Sequence, residues 1–194
     1  MKTARFYKTV FKERRYKSVD FTEKTVRKNP VFQGKILSVY NDEIELTTGE
    51  KGMREIVEHS GGAAVLCIKE NKALFVRQYR YAYGEEVIEI PAGKLEKGEN
   101  PMNAAKRELQ EEGGICAEEL KLLCTLYPSP GYTNEKIYIY LAENGKSVGQ
   151  SLDDGEFLTA EWMDISKAEE MLKSGIIKDA KTVVALQSYL LNKK

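Results

Sequence analysis

Between Gly93 and Ile115 the chain reads GKLEKGENPMNAAKRELQEEGGI, and this window limits the available folds more than any other stretch. It sets Glu108, Glu111 and Glu112 at i, i+3 and i+4. A helix over these positions gathers three carboxylates on one turn. The local signals for that helix are present. Asn100 is a good N-cap, and Pro101 suits the first helical position, where a missing N–H costs nothing. Met102, Ala105 and Leu109 recur at helical spacing and predict the apolar face. Gly113 and Gly114 stop the helix, because glycine readily takes the left-handed C-cap conformation. The predicted helix spans about 101–112.

Crowded like charges need a counter-charge. The three glutamates also sit at the negative end of the helix dipole. Arg107 lies one turn before Glu111 and can pair with it. A hard divalent cation such as Mg²⁺ prefers oxygen ligands and carries substrate phosphates, so it would relieve both conflicts. The plainer account is a solvated acidic face. It requires Gly93, Glu99, Gly114 and Ile115 to surround the glutamates by coincidence.

Composition narrows the partners. The 194 residues allow one sizeable core, or a core plus a small lobe. Lys plus Arg and Asp plus Glu are each 30, so the net charge is zero. Bulk charge therefore points to neither nucleic acid nor a membrane surface as partner. Lys8, Lys12, Arg14, Arg15 and Lys17 make the start locally basic and predict a solvated arm. No apolar run reaches membrane length, and no signal-peptide core is expected at the start. Cys67, Cys116 and Cys124 are odd in number and lack metal spacing, which suits a cytoplasmic setting. Cys67 falls in an apolar strand pattern and is expected to be a buried thiol.

The rest of the chain reads as short strands followed by helices. Residues 31–46 predict strands around a turn near Asn41-Asp42, then a turn at Thr48-Gly49-Glu50-Lys51 and a strand from Met53 to Val57. This segment is too small to bury a core alone. It should pack on the rest of the chain or on a second copy. Ala63 to Ile68 is almost continuously apolar, predicting a strand covered on both faces. A tight turn at Glu70-Asn71-Lys72 leads into a strand from Ala73 to Val76. Further strands are predicted over 87–90, 120–126, 137–141 and 158–163, and helices over 166–173 and 179–191. Val183, Val184, Leu186, Tyr189 and Leu190 are expected to face inward from the last helix. This order predicts an α/β (α+β) fold with a mixed sheet between helical layers. The boundary is drawn as an N-terminal β-rich segment over 1–58 and a main domain over 59–194.

The window from Gly93 to Ile115 resembles the signature box of the Nudix hydrolases. Met53-Arg54-Glu55-Ile56-Val57, Arg77-Gln78-Tyr79-Arg80, Glu89-Ile90-Pro91-Ala92-Gly93, Ser129-Pro130-Gly131 with Glu135, and Asp179-Ala180-Lys181-Thr182 resemble the ADP-ribose pyrophosphatase branch. The resemblance runs from about Val31 to Leu191. It implies a Nudix α/β/α sandwich with a small N-terminal antiparallel β segment. It implies metal binding by Glu108, Glu111 and Glu112 and by the backbone carbonyl of Ala92, with Mg²⁺ as the ion and Mn²⁺ as the alternative. Arg107 matches the arginine that orients the glutamates, and Glu99 matches a supporting loop glutamate. Arg54, Arg80 and Glu135 match substrate contacts. In the family a late acidic loop, Ser151 to Phe157 here, can supply the base or a further metal contact: Glu156 is favoured for the base, Asp154 takes the role if the alignment slips, and a solvated acidic loop is the plainer alternative. Tyr132 is expected either to offer an aromatic face to the substrate or to pack in the core or rim. Family members often carry threonine where this chain has Gly113; a second glycine is expected only to loosen the helix end. His59 is expected to be structural.

The implied reaction is metal-dependent hydrolysis of ADP-ribose to AMP and ribose 5-phosphate. Metals would screen the pyrophosphate charge and acidify a water, and a carboxylate would take its proton. The resemblance also implies a homodimer that exchanges N-terminal strands. Two rivals stand beside it: a hydrolase of another nucleoside diphosphate-sugar, such as GDP-mannose or ADP-glucose, and a non-catalytic Nudix-fold nucleotide sensor.

Overall fold

A computed structural model describes residues 20–193, so the basic arm predicted before Asp20 lies outside the described residues. Strands β1 (Lys24–Arg27), β2 (Pro30–Gln33), β3 (Leu37–Glu45) and β4 (Lys51–His59) form an antiparallel N-terminal sheet. β4 pairs along the whole of β3, and β1 and β2 share its other edge. The hairpin from Thr48 closes as expected: Gly49 takes φ 84° and donates its N–H to Leu46 O at 2.9 Å. Asn41-Asp42 is not a turn but the middle of β3. These turn-type residues hold the break between β1 and β2 instead. Asn29 N–H donates to Asp42 Oδ1 at 3.1 Å, and Asn29 Nδ2 donates to Asn41 O at 3.0 Å.

The second sheet has seven strands: β5 (Gly62–Lys69), β6 (Lys72–Arg80), β7 (Glu85–Glu89), β8 (Ala92–Lys94), β10 (Leu120–Leu126), β11 (Ile137–Glu143) and β13 (Leu158–Asp164). β9 (Ile115–Cys116) and β12 (Lys146–Ser147) form a small pair beside it. The order β10-β11-β5-β6-β13 is mixed, because β11 runs parallel to β5 while the other pairs are antiparallel. Helix α1 (Pro101–Glu111) covers one face, and α2 (Ile165–Lys173) with α3 (Ala180–Asn192) covers the other. β5 shows why its sequence is apolar throughout: Ala63, Val65 and Cys67 pack with Ala105 and Leu109 of α1, while Ala64, Leu66 and Ile68 pack with Ala168, Ala185 and Leu186. Burial pushes the Cys67 thiol up to about 11. On α1 the inward residues are Ala104, Ala105, Glu108 and Leu109. Met102 lies at the rim, 39% exposed, rather than on the apolar face. Among the described residues no helix is long and apolar enough to cross a membrane.

One detail of this sheet positions the site. β5 and β6 pair only at their shared hairpin, Ile68↔Ala73 and Lys69↔Lys72, where Glu70 and Asn71 both take positive φ as a tight turn requires. Beyond that point the two strands diverge. β7 pairs with the end of β6 away from the hairpin, and β8 with the end of β5 away from it, so the chain from Glu85 to Lys94 fills the fork. Its bend is tied down from α3: Thr182 Oγ1 accepts the buried Ile90 N–H at 2.9 Å and donates to Asp179 Oδ2 at 2.6 Å. Thr182→Val keeps the volume but strands that N–H. It should cost about 1–3 kcal/mol, read as a lower urea midpoint at unchanged m-value.

Candidate active site

Helix α1 begins and ends as its sequence predicts. Asn100 Oδ1 accepts the Met102 N–H at 2.9 Å, Pro101 is the first helical residue, and Glu112 is the C-cap. Gly114 then takes φ 64°. Gly113 does more than loosen the end. It is buried, and a Cβ there would lie 2.6 Å from Leu109 O and 2.8 Å from Leu74 Cδ2.

The glutamates converge on one open cleft of about 740 Å³, lined by Glu108, Glu111 and Glu112 together with Ala92, Gly93 and Arg107. Arg107 orients the group. Its Nη1 donates to Glu108 Oε1 at 2.7 Å and to Glu111 Oε2 at 2.9 Å, while Nε and Nη2 each reach Glu99 at 3.2 Å. One guanidinium thus serves three carboxylates, which raises its own pKa, with the Glu99 bonds as the largest cause. Glu99 in turn accepts the Glu96 N–H at 2.9 Å. Glu112 stands apart from Arg107. Its Oε2 accepts the Ala92 N–H at 2.8 Å, which ties the end of α1 to the fork segment.

Glu108 owes its place to Gly93. A Cβ on residue 93 would lie 2.0 Å from Glu108 Oε1, so only glycine leaves room for this carboxylate. Burial pushes the Glu108 carboxyl above its usual range against the pull of Arg107, and neighbouring Glu111 and Glu156 push the same way. Burial likewise raises Glu112 to about 7, opposed by the Ala92 N–H and reinforced by Glu108 and Glu156. Glu108 and Glu112 are buried carboxylates short of positive charge, and Ala92 lines the cleft beside them; oxygen ligands of this kind suit a divalent cation, but among the described residues no three acidic side chains are drawn together as an ion-holding group.

The late acidic loop is stitched onto α1. Gln150 Nε2 donates to Glu112 O at 2.6 Å, Ser151 N–H donates to Glu111 O at 3.0 Å, and Val148 N–H donates to Gly114 O at 2.8 Å. The stitching brings Asp153 and Glu156 to the cleft, whereas Asp154 does not line it. Nothing in the local sequence marks Gln150 as the anchor.

The expected substrate contacts divide. Arg80 and Glu135 line the cleft. Arg54 does not; it lies on β4, donating to both oxygens of Glu23, just before β1. Tyr132 also lies off the cleft, and its carbonyl accepts the Val57 N–H at 2.7 Å. His59 Nδ1 accepts the Gly61 N–H at 3.1 Å and lies 3.4 Å from Glu135 Oε1, both residues bordering the cleft. Two buried residues beside the site had no assigned role in the sequence, Glu89 and Lys181. A charged residue inside each of the apolar runs 87–92 and 180–186 was the available signal.

The Glu112 shift sets a pH dependence of folding. The folded carboxyl holds its proton to about 7, against an ordinary 4.5. Between those values the folded state binds more protons than the unfolded one, so this group's contribution falls as pH rises. In EDTA, Glu112→Gln should therefore be more stable than the parent at pH 8, by about 2–3 kcal/mol, with the difference vanishing near pH 4. A variant-minus-parent difference that stays flat with pH contradicts this account.

Comparison with known proteins bears on the same residues. The NUDIX domain model matches residues 58–186. A protein of Bacillus methanolicus described as methanol dehydrogenase activator is 40% identical, covering 86% of this chain and 92% of its own length. An ADP-ribose pyrophosphatase of Bacillus subtilis is 39% identical, covering 85% and 91%. A GDP-mannose pyrophosphatase of Salmonella paratyphi B is 33% identical, covering 84% and 92%. A solved structure titled ADP compounds hydrolase superposes with a TM-score of 0.79 at 22% identity, covering 92% of this chain and 98% of the other, which establishes the shared fold. The glutamate helix, the glycine that admits Glu108 and the seven-stranded sheet all lie inside the matched span, and the chain belongs to the Nudix hydrolase family.

Proposed function

We propose that this protein hydrolyses the pyrophosphate bond of ADP-ribose, giving AMP and ribose 5-phosphate. The observation that carries the reading is one cleft lined by the α1 carboxylates, Glu156 and Arg80. Glu108, Glu111, Glu112 and the Ala92 carbonyl are the ligands for a divalent ion, Mg²⁺ or alternatively Mn²⁺. When bound, such ions screen the charge of the pyrophosphate and lower the pKa of a water. Arg107 keeps Glu108 and Glu111 turned toward the cleft. Glu156 takes the proton of the attacking water, supported over Asp154 by its lining position and by its electrostatic effect on Glu108 and Glu112. Water oxygen bonds to phosphorus as the bridging P–O bond breaks, and each product leaves as a phosphomonoester. Arg80 offers its guanidinium donors to a phosphate, and Glu135 borders the sugar side.

The relatives' names differ over the substrate, so another nucleoside diphosphate-sugar such as GDP-mannose is the second reading. Both readings take a small molecule, not nucleic acid or a membrane, and both suit a cytoplasmic enzyme. The test is a panel of ADP-ribose, ADP-glucose, GDP-mannose and NADH with Mg²⁺ and with EDTA. ADP-ribose should be the best substrate, and EDTA should abolish release of AMP. Glu112→Gln and Glu156→Gln should each lower kcat at least about 100-fold, whereas Asp154→Asn should stay near the parent. Preference for GDP-mannose discards the substrate and keeps the chemistry. Tight ADP-ribose binding without turnover makes the protein a sensor.

The same reading includes a homodimer built through residues 1–58. Val26, Val31, Phe32, Ile36 and Met53 of the N-terminal segment are all about half exposed or more. Within that sheet Ile44 is the buried hydrophobic residue, so most of its apolar surface lacks cover. A second copy supplies the cover, and it is also the route by which Arg54 approaches a cleft. Phe32→Asp should therefore convert a dimer into a monomer by light scattering at micromolar concentration. A parent that is already monomeric contradicts the dimer.

A further inference from the structure

The cleft is bordered by an ion-pair cluster of which the hydrolytic roles above use only Arg80. Glu89, the last residue of β7, is 2% exposed. Arg80, the last residue of β6, meets it side-on: Nε donates to Glu89 Oε1 and Nη2 to Glu89 Oε2, both at 2.6 Å. Lys181 of α3 donates to Glu89 Oε2 from the other side and to Asp179 Oδ1 at 3.1 Å. Two cations thus balance two carboxylates. Burial pushes the Glu89 carboxyl up, but the Arg80 bonds and the Lys181 charge outweigh it and hold it below its usual range.

The pairing is asymmetric. Glu89 is sealed from solvent, while the Arg80 side chain is 41% exposed and lines the cleft. The bidentate contact consumes the Nε and Nη2 edge of the guanidinium. Nη1 donates to no described residue. A planar fork held by one edge has its orientation fixed and its remaining donors free for a ligand. Arginine normally loses rotamer entropy when it clamps a phosphate. Here that loss is taken on folding, before substrate arrives.

We propose that Glu89 is a positioning residue for substrate binding: it fixes the Arg80 guanidinium so that the free Nη1 donors face the substrate phosphates, and Lys181 braces Glu89 from α3. This rests on the reading of the cleft as a nucleoside diphosphate hydrolase site. An ion pair that serves stability alone changes the amount of folded enzyme and the melting temperature. One that positions Arg80 changes KM, and changes it only while Arg80 is present.

The experiment measures kcat, KM for ADP-ribose and Tm for the full chain with Mg²⁺, in the parent, Arg80→Ala, Glu89→Gln and the double variant. Arg80→Ala should raise KM by roughly 10–100-fold. Glu89→Gln should raise it about 10-fold with kcat within about threefold, and the double variant should be no worse than Arg80→Ala alone. An unchanged or lowered KM in Glu89→Gln overturns the proposal, as do single effects that multiply in the double variant. If Glu89→Gln does not fold, Glu89→Asp keeps the charge and withdraws it by one methylene. It should raise KM at near-parent Tm, and unchanged KM at unchanged Tm again overturns the idea. Arg80→Ala with parental KM removes Arg80 as a substrate contact and the proposal with it. A parent that turns over no ADP-ribose removes the reading of the cleft, a failure visible before any variant is compared.

Discussion

The fork between β5 and β6 is the constraint on which the site depends. Two antiparallel strands that diverge leave unpaired backbone groups in a buried layer, and such groups must find partners. The chain from Glu85 to Lys94 provides them, pairing with β6 through β7 and with β5 through β8, and Val65 N–H closes the gap by donating to Pro91 O at 2.9 Å. That same segment carries Glu89 toward Arg80 and Lys181, Ala92 toward Glu112, and Gly93 under Glu108. A packing requirement of the sheet therefore supplies the floor of the cleft.

The second constraint is charge. Glu108 and Glu112 are both less than a tenth exposed, yet Arg107 reaches Glu108 and not Glu112. Burying a carboxylate without a cation is unfavourable, and here both groups are pushed toward the protonated form. Local stability is sacrificed where these carboxylates line the cleft, a common balance at functional sites. The cluster around Glu89 follows the opposite rule, with each buried charge matched by a bonded partner. Glu112 has no bonded cation, whereas Glu89 has two.

The N-terminal sheet stands in contrast to both. Its four strands enclose little: β1 and β2 are exposed along their whole length. Backbone bonds join it to the main domain. Val57 N–H donates to Tyr132 O, and Asn134 N–H donates to Val57 O at 3.2 Å. These bonds anchor the loop that carries Glu135. The sheet thus positions one wall of the cleft while leaving its own apolar face uncovered.

Local chemistry and periodicity make part of this protein readable from its residues. The limits of α1, its caps, the i, i+3, i+4 glutamates and their pairing with Arg107 all act within a few turns of chain. The doubly covered β5 was legible because burial on both faces demands an unbroken apolar run. Only the tertiary structure decided the rest, because the deciding contacts join residues far apart. Asn41-Asp42 reads as a turn until Asn29 claims it. Glu156 lines the cleft and Asp154 does not, in a loop that Gln150, 38 residues beyond Glu112, holds against α1. Glu89 and Lys181 meet across 92 residues, and no local pattern encodes that meeting. Periodicity reports which side of an element is buried. It carries no information on which distant charge will lie there.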